Sequence, residues 1–269
     1  MKSNLNLPRA DGKKELQSAL LKWRVWTFLG EIEIKQRYNK TLLGPFWITG
    51  ALAIFVGACS FIYGVLFKQD LAEYMPYVAA GYIAWAYISG YLTEACSVFI
   101  LHENYINQLR LPILIYPLKV VWRLLLTLLH HAVVLFVVLF AFGGINPLGI
   151  LLSLIGLLTL SVALFSIGSI FAFYSVTNRD IPIVTISIFQ ILFLITPIIW
   201  PASALGKRME IAYFNPFYHM VEVVRSPILN GFSNEWLVHL SVTGFLGLLG
   251  TIILIRVISL KQYQLGYFL

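Results

Sequence analysis

The stretch LGILLSLIGLLTLSVALFSIGSIFAFYSV, residues Leu148–Val176, decides the fold because it carries no charged side chain over 29 residues. A helix needs roughly 20 apolar residues to cross the hydrocarbon core of a bilayer. Lipid offers the backbone no water to bond, so a segment of this length and composition is expected to cross the membrane as a helix. Polar side chains return at residues 177–180, TNRD, where we expect the helix to end.

The composition of the whole chain agrees with a membrane protein. Of its 269 residues, 59% are hydrophobic and 12% are charged, whereas a soluble domain carries about 25% charged residues. The net charge is +7, but long uncharged stretches leave no continuous basic face for nucleic acid. Cys59 and Cys96 lie in separate apolar segments, which predicts neither a disulfide framework nor a zinc site.

Five more apolar stretches accompany the first. Together they predict an all-α polytopic membrane protein with six transmembrane helices. At this length a single transmembrane domain over residues 1–269 is expected. The predicted spans are Leu43–Phe67, Pro76–Leu101, Ile113–Phe142, Leu148–Val176, Ile181–Trp200 and Trp236–Ile255.

The distribution of basic residues predicts the orientation of the chain, because loops rich in Lys and Arg stay on the cytoplasmic side. With the N-terminus in the cytoplasm, only four of the 19 basic residues face outward. Both termini are therefore predicted to be cytoplasmic. The outward basic residues are Lys68, Lys207, Arg208 and Arg225.

Residues 13–40 precede the first span and show a different helical pattern. Leu16, Leu20, Trp23 and Trp26 recur at helical spacing, while lysines occupy another side. This pattern favours an interfacial amphipathic helix lying in the head-group plane. The alternative is a basic tail held only by its attraction to anionic lipid.

The connection 201–235 between spans five and six is predicted to form a re-entrant helical hairpin on the outer side. Asn215 can cap a helix whose first residue is Pro216. A helix over Pro216–Ser226 would be about 16 Å long, too short to cross the membrane. An amphipathic loop resting on the outer leaflet is the alternative. The apolar positions recur at i, i+3, i+4 and i+7, at Phe217, Met220, Val221 and Val224.

Span two and its flanking residues are rich in aromatic side chains. Tyr74 and Tyr77 fit an aromatic belt at the outer membrane surface. Four deeper aromatic residues suit a passage for sugars, because their rings pack on C–H surfaces and their polar tips bond hydroxyl groups. Core packing is the alternative for each of the four. They are Tyr82, Trp85, Tyr87 and Tyr91.

Two features of the sequence argue against an enzyme. It contains no G-x-x-x-x-G-K-[ST] loop to hold nucleotide phosphates. Its acidic residues are sparse and form no pair at a membrane surface. His130 and His131 are adjacent, so their rings point about 100° apart on a helix and no metal site is expected there.

Glu94 is the one acidic residue inside a predicted span, and ionisable groups in that position are usually paired or functional. Counting from the span ends places it at the depth of Arg123 on span three. We therefore predict a structural ion pair between these two residues. Proton coupling is the alternative, although a relay needs several acids in series.

Small residues form a stripe along one face of span one. Small side chains allow helices to approach closely in lipid. The stripe can serve packing within the chain or contact with a second copy, and the sequence leaves both open. Its members are Gly50, Ala53, Gly57, Ser60 and Gly64.

Three motifs occur in order along the chain. They are QRYNKTLLGPFW at Gln36–Trp47, NRDI at Asn178–Ile181 followed by LITPIIWP at Leu194–Pro201, and NPFYH at Asn215–His219. With the six-span layout, this set resembles the membrane subunit of ATP-binding-cassette exporters of bacterial surface polysaccharides. That group includes O-antigen, capsule and teichoic acid export permeases.

The resemblance implies a homodimer of permeases in the bacterial inner membrane, bound to two separate nucleotide-binding subunits. ATP and Mg would then bind the partner subunit, and this chain would hold no cofactor and catalyse no reaction. The implied substrate is lipid-linked polysaccharide of the O-antigen type. Capsular polysaccharide or teichoic acid is the alternative substrate. A small-molecule or drug exporter permease and a membrane enzyme acting on polyprenyl lipids are more distant alternatives.

The resemblance also implies roles for particular residues at the inner side. Arg179 and Asp180 would lie at the inner end of the channel, where Arg179 could bind a lipid pyrophosphate through two hydrogen bonds. A simple topology anchor is equally compatible with these two residues. Contacts to the ATPase are implied for Lys35, Arg37, Glu103, Asn104 and Arg110, although an ordinary solvated loop is the alternative for the last three.

At the outer side, the resemblance implies that the region after span five covers a channel between two protomers. This outer gate would include the turn after span five and the short helix that follows it. Its implied residues are Pro197, Trp200, Asn215, Pro216, His219 and Arg225.

Overall fold

The computed structural model describes residues 11–39, 44 and 46–268. Every regular element in these ranges is helical, which confirms the predicted all-α class. Short π-helical and 3-10 segments lie at Leu139–Gly143 and Ala202–Arg208. The α-helices are α1 Gly12–Leu21, α2 Trp23–Tyr38, α3 Phe46–Phe67, α4 Leu71–Leu101, α5 Glu103–Gln108, α6 Ile115–Val138, α7 Pro147–Thr177, α8 Ile181–Ile195, α9 Glu210–Tyr213, α10 Pro216–Asn230 and α11 Asn234–Phe268.

Five of these helices are long and apolar enough to cross a membrane. They are α3, α4, α6 with its π-helical extension, α7 and α11. The remaining apolar helix, α8, has 15 residues. At 1.5 Å per residue it is about 22 Å long, which is shorter than a hydrocarbon core of about 30 Å. The structure therefore supports a multi-pass membrane protein, with α8 as a shorter sixth apolar helix.

The prediction that span five is helical as far as Trp200 is wrong. Helix α8 ends at Ile195, and Thr196 is extended, with φ −92° and ψ 134°. Pro197 explains this end, because a proline pushes the preceding residue out of the helical region. The backbone of residues 196–200 is consequently irregular.

Other helix bounds also differ from the predicted ones. Helix α4 begins at Leu71 rather than Pro76, because the Asp70 side chain accepts a hydrogen bond from the Ala72 amide at 3.0 Å and caps the helix. Helix α11 continues beyond the predicted end of span six. The predicted start of span one and the predicted end of the N-terminal helix fall within residues 40–43, outside the described residues.

The N-terminal segment forms two helices rather than one. Helix α1 ends before Lys22, which has the non-helical angles φ −86° and ψ 36°. Helix α2 then packs on α6 at Gly30, where an added Cβ would lie 3.0 Å from the Lys119 carbonyl oxygen. The rings of Trp26 and Trp122 meet edge to face, with centroids 6.1 Å apart. This segment is thus packed against a long helix of the bundle.

Helices α4 and α7 form the centre of the bundle, and glycines on α7 set its tightest contacts. At Gly168 an added Cβ would lie 2.6 Å from the Tyr91 ring of α4. At Gly149 and Gly156 an added Cβ would lie 2.1 Å and 2.2 Å from carbonyl oxygens of α10. Such close approach through small residues is a common packing mode of membrane helices.

The two ends of the bundle differ in structure. One end, here called the α2 end, contains α1, α2, α5 and the C-terminal end of α4. The other, here called the α10 end, contains residues 196–233 and the start of α4. With 31 residues, α4 is about 46 Å long and connects the two ends.

Candidate functional site

Arg225 of α10 organises the α10 end from inside the protein, where it is 0% exposed. Its Nη2 donates to the Pro197 carbonyl oxygen at 2.9 Å and to Glu222 Oε1 at 2.5 Å. Its Nη1 donates to the Ile198 carbonyl oxygen at 3.4 Å. The guanidinium also lies 3.9 Å from the centroid of the Tyr77 ring. A buried cation is tolerated when it is paired and bonded in this way.

Two tyrosines of α4 bond the same irregular backbone. The Tyr77 hydroxyl donates to the Pro197 and Trp200 carbonyl oxygens, at 3.3 and 3.2 Å. The Tyr74 hydroxyl donates to the Ile199 carbonyl oxygen. Irregular backbone at membrane depth survives only where protein or water satisfies it, and Arg225 and these tyrosines satisfy it here.

Asn215 connects α8 to α10 and confirms the predicted helix start at Pro216. Its Oδ1 accepts from the Phe217 amide at 2.9 Å, which is the expected cap. Its Nδ2 donates to Thr196 Oγ1 at 2.9 Å, directly after the end of α8. The two short helices are therefore fixed relative to each other.

His219 forms a buried imidazole pair with His239 of α11, with the two Nδ1 atoms 2.8 Å apart. His219 Nε2 lies 2.8 Å from the Tyr213 carbonyl oxygen, which can only accept. A neutral His219 therefore donates from Nε2 and accepts at Nδ1, and His239 Nδ1 is the donor between the rings. The pair ties α10 to α11.

A groove of about 490 Å³ lies between α3, α4 and α8. Tyr82 and Trp85, two of the predicted passage residues, form part of its wall. Phe189 and Phe193 of α8 face Trp85, with ring centroids 5.8 and 5.9 Å apart. Polar side chains interrupt the aromatic lining at Ser89, Thr93 and Gln190.

The other two predicted passage residues lie elsewhere, in the core of the protein. The Tyr87 hydroxyl is 2.8 Å from Ser161 Oγ of α7. Tyr91 is fully buried against Gly168 of α7. The two tyrosines are one helical turn apart, so they share the face of α4 that meets α7. Core packing, the alternative interpretation, describes both of them.

At the α2 end, the predicted ion pair between Glu94 and Arg123 is present. It belongs to a larger network, because Arg123 Nε also lies 3.2 Å from Glu33 Oε2 of α2. Lys119 forms a further ion pair with Glu33. His102 Nε2 lies 2.6 Å from Lys119 Nζ. Two carboxylates and two cations thus join α2, α4 and α6.

The environment of Glu33 lowers its pKa. Burial by itself raises the pKa of this carboxyl, but the hydrogen bond from Lys119 and the charges of Lys119 and Arg123 outweigh burial and hold the pKa at about 2. His102 Nδ1 lies 2.7 Å from the Val98 carbonyl oxygen and donates to it. Its Nε2 is therefore free to accept from Lys119.

The residues predicted to contact an ATPase lie on the surface of the α2 end. Arg37 lines a cavity of about 610 Å³ together with Glu33, Glu94 and Leu101. Helix α5 contributes no buried residue, and Tyr105 exposes a large ring beside the charged positions. The structure places Lys35, Arg37, Asn104 and Arg110 as exposed and Glu103 as half-buried.

Arg179 and Asp180 are exposed in the turn between α7 and α8. The turn lies at the α2 end, since Phe173 at the end of α7 packs against Phe99 at the end of α4, with ring centroids 5.0 Å apart. Neither residue forms an ion pair with another described residue. Both charged groups are therefore accessible at this end of the bundle.

Comparison with known proteins identifies the family of the chain. Residues 26–229 match the family described as ABC-2 type transporter. The chain belongs to the ABC-2 type transporter family. The chain is also similar to the O-antigen export system permease protein RfbA of Klebsiella pneumoniae. The two are 24% identical over 238 residues, which cover 86% of this chain and 90% of that protein. ABC-2 permease subunits are transport components and are not themselves ATPases.

Several residues of this permease that build the site were not found from the sequence. Tyr74 and Tyr77 were interpreted as belt residues, although they bond the backbone after α8. Their spacing of three places both on one face of α4, but nothing in the sequence says what that face meets. His239 gave no signal, because its partner His219 is 20 residues away on another helix.

Proposed function

We propose that this permease is the membrane subunit of an exporter that moves lipid-linked polysaccharide of the O-antigen type across the bacterial inner membrane. A separate nucleotide-binding subunit supplies the energy by hydrolysing ATP with Mg. The relative from Klebsiella pneumoniae, similar over most of the chain, supports this class of substrate.

The groove between α3, α4 and α8 is the observation that carries the proposal. A purely hydrophobic substrate needs only apolar walls, whereas this groove combines aromatic rings with the polar groups of Ser89, Thr93 and Gln190. Rings pack on the C–H faces of sugars, and polar groups bond sugar hydroxyls. In this proposal Tyr82 contacts the glycan, the buried Trp85 holds the wall of the groove in place, and Tyr87 and Tyr91 support α4 from behind.

The chain acts as a homodimer in this proposal, with α3 at the contact between the two copies. Gly50 and Gly57 support this arrangement, because an added Cβ at either position would have no neighbour within 4 Å. These members of the small-residue stripe are therefore not used for packing among the described residues. The glycan passage would be completed by the second copy.

The α2 end faces the cytoplasm in this proposal, with both termini on that side and with α8 counted as the sixth span. Helices α1 and α2 lie at the membrane surface. The exposed residues Lys35, Arg37, Glu103, Asn104 and Arg110 contact the ATPase subunit. The Glu33 network then transmits displacement of α2 to α4 and α6, because it joins the three helices.

The accessible Arg179 binds the phosphate groups of the lipid carrier, since guanidinium forms paired hydrogen bonds with phosphate. At the opposite end, residues 201–235 form the re-entrant outer gate. Pro197, Trp200, Asn215, Pro216, His219 and Arg225 belong to this gate. ATP binding can shift the equilibrium between the closed-gate and open-gate states only to the extent that ATP binds more tightly to one of these states.

Deletion of the gene in its source bacterium tests the proposal. We expect glycan to disappear from the cell surface and to accumulate on its lipid carrier inside the cell. Expression of the chain together with its ATPase subunit should restore surface glycan. Expression with an ATPase subunit unable to hydrolyse ATP is the control and should not.

The chemistry of the accumulated lipid-linked glycan separates the candidate substrates. An O-antigen-type repeat is expected, and a capsular polymer or a teichoic acid would reassign the substrate within the family. Unchanged surface glycan after deletion would contradict the proposal. So would a purified complex whose ATP hydrolysis is stimulated by hydrophobic drugs and not by lipid-linked glycan.

A further inference from the structure

A second cavity, of about 650 Å³, lies at the α10 end and is separate from the groove. Its walls are the start of α4, the turn before α7 and one face of α10. Its volume is within the range of about 300–1,000 Å³ found for ligand sites. The polar residues that line it are Gln69, Glu73, Asn146, Glu222, Ser226 and Asn230.

Helix α10 presents a regular row of polar groups to this cavity. Glu222, Ser226 and Asn230 stand four residues apart and therefore share one face of the helix. At 1.5 Å per residue, successive members of the row are about 6 Å apart along the helix. Such a row fits an extended ligand with repeated hydrogen-bonding groups better than it fits a compact one.

The hydroxyl of Ser226, in the middle of this row, lacks a hydrogen-bond partner among the described residues. The residue is 8% exposed, and its hydroxyl oxygen is buried without a hydrogen bond from any described residue. Buried polar groups in native proteins are nearly always bonded. Ser226 lines the cavity wall, and its hydroxyl has hydrogen-bonding capacity that no described residue uses.

The charges of the lining disfavour an anionic ligand. Glu73 and Glu222 bring two carboxylates to the cavity. The nearby cation Arg225 is fully buried and already bonded to Glu222 and to backbone oxygens. The remaining negative charge repels phosphate and acidic sugars. Carboxylate and amide groups do bond neutral hydroxyls.

We propose that this cavity binds a short stretch of uncharged sugar residues of the exported glycan at the outer mouth of the permease. The inference rests on the proposed function, because the cavity opens to the outside only if the α10 end faces away from the cytoplasm. The row on α10 bonds successive sugar hydroxyls and holds the emerging chain beside the gate. Binding there favours release to the outer side over return.

Cysteine labelling in living cells tests the sugar site in the full transporter. Ser226→Cys and Asn230→Cys place thiols in the cavity, and Asn234→Cys places one outside its lining on the same side. A membrane-impermeant maleimide is the probe, and labelling of the wild-type chain gives the baseline. Labelling rates are compared between cells that make the glycan and cells lacking the enzyme that adds its first sugar.

We expect glycan synthesis to slow labelling of Ser226→Cys and Asn230→Cys at least threefold and to leave Asn234→Cys unchanged. Equal rates in both strains at the two cavity positions would overturn the sugar site. An absence of labelling at Asn230→Cys, the exposed position of the row, in both strains would overturn it as well, because the cavity would then be closed.

Surface glycan in the same cells keeps the two proposals apart. If deletion of the gene removes surface glycan but glycan synthesis does not change the labelling rates, the proposed function is supported and the sugar site is contradicted. If Asn234→Cys cannot be labelled from outside, the α10 end does not face outward. The orientation in the proposed function is then wrong, and the sugar site is contradicted as well.

Discussion

Arg225 reaches the backbone of Pro197 and Ile198 only because Gly81 of α4 has no side chain. An added Cβ at Gly81 would lie 2.7 Å from Arg225 Nη1 and 3.3 Å from the Ile198 carbonyl oxygen. Neither neighbour can retreat easily, since the guanidinium is buried and held by several bonds. The irregular turn after α8 therefore depends on a glycine one helix away.

We predict that Gly81→Ala lowers the free energy of unfolding by about 2 kcal/mol, as expected for overpacking in a filled core. Gly90→Ala on the same helix is the matched control. Its added Cβ would meet Leu124 at 3.7 Å, an ordinary contact, and alanine is the better helix former by about 1 kcal/mol. Denaturation of the purified permease in detergent measures both variants. Equal stability of Gly81→Ala and Gly90→Ala would contradict the role given to Gly81.

Glu33 gives the network at the α2 end a defined pH dependence. Its pKa in the folded protein is held at about 2, below the ordinary value of 4.5. A carboxyl with a lowered pKa contributes stability that is complete above its unfolded pKa and is lost as pH falls toward its folded pKa. The window for Glu33 therefore runs from about pH 4.5 down to about pH 2.

We predict that wild-type permease unfolds at a higher temperature than Glu33→Gln. The difference in unfolding temperature should be constant between pH 8 and about pH 5 and should shrink below about pH 4.5. Glu31→Gln, two residues away on α2, is the control. Glu31 forms no ion pair with a described residue, so its replacement should leave the unfolding temperature unchanged. A margin that persists undiminished to pH 3 would contradict the assignment of the lowered pKa to Glu33.

Helix α10 is short, so its position depends on its contact with α7. At Gly156 an added Cβ would lie 2.2 Å from the Val223 carbonyl oxygen, and backbone cannot move aside as a flexible side chain can. The Trp236 indole donates to the same oxygen at 3.0 Å and fixes it from α11. Displacing α10 would therefore disturb both the gate and the row of polar groups behind it.

We predict that Gly156→Ala pushes α10 away from α7 and abolishes surface glycan while the protein remains in the membrane. Gly244→Ala on α11 is the matched control, because its added Cβ would meet only a Thr159 methyl group at 3.7 Å. Surface glycan and membrane-inserted protein are measured in the same deletion strain. Normal export by Gly156→Ala would show that the close contact between α7 and α10 is dispensable.

The sequence predicted elements well where a local signal marks them. The cap at Asn215, the apolar period of α10 and the ion pair between Glu94 and Arg123 follow from composition and spacing, and the structure contains all three. Tyr87 and Tyr91 could not be placed in advance, because their burial depends on which face of α4 meets α7. The end of α8 at Ile195 also has a local signal, because Pro197 disfavours the helical conformation at Thr196.

At the scale of the whole molecule, α4 connects the two functional ends. Glu94 in its last turns and His102, the residue directly after it, join the network with α2 and α6. The first turns of α4 carry Tyr74 and Tyr77, which bond the irregular backbone after α8. Helix α4 is largely buried and about 46 Å long, so a single element contacts both ends of the bundle. In the proposed function, movement of α2 by an ATPase subunit reaches the outer gate through α4.

The most direct test of this account is glycan transport in purified vesicles. Permease and ATPase subunit are reconstituted together, lipid-linked glycan is supplied on the side where ATP is present, and the opposite side is assayed with a glycan-binding lectin. The account predicts glycan on the opposite side only with ATP and only with both subunits present. ATP hydrolysis without any transfer of glycan, or transfer by the permease alone, would contradict it.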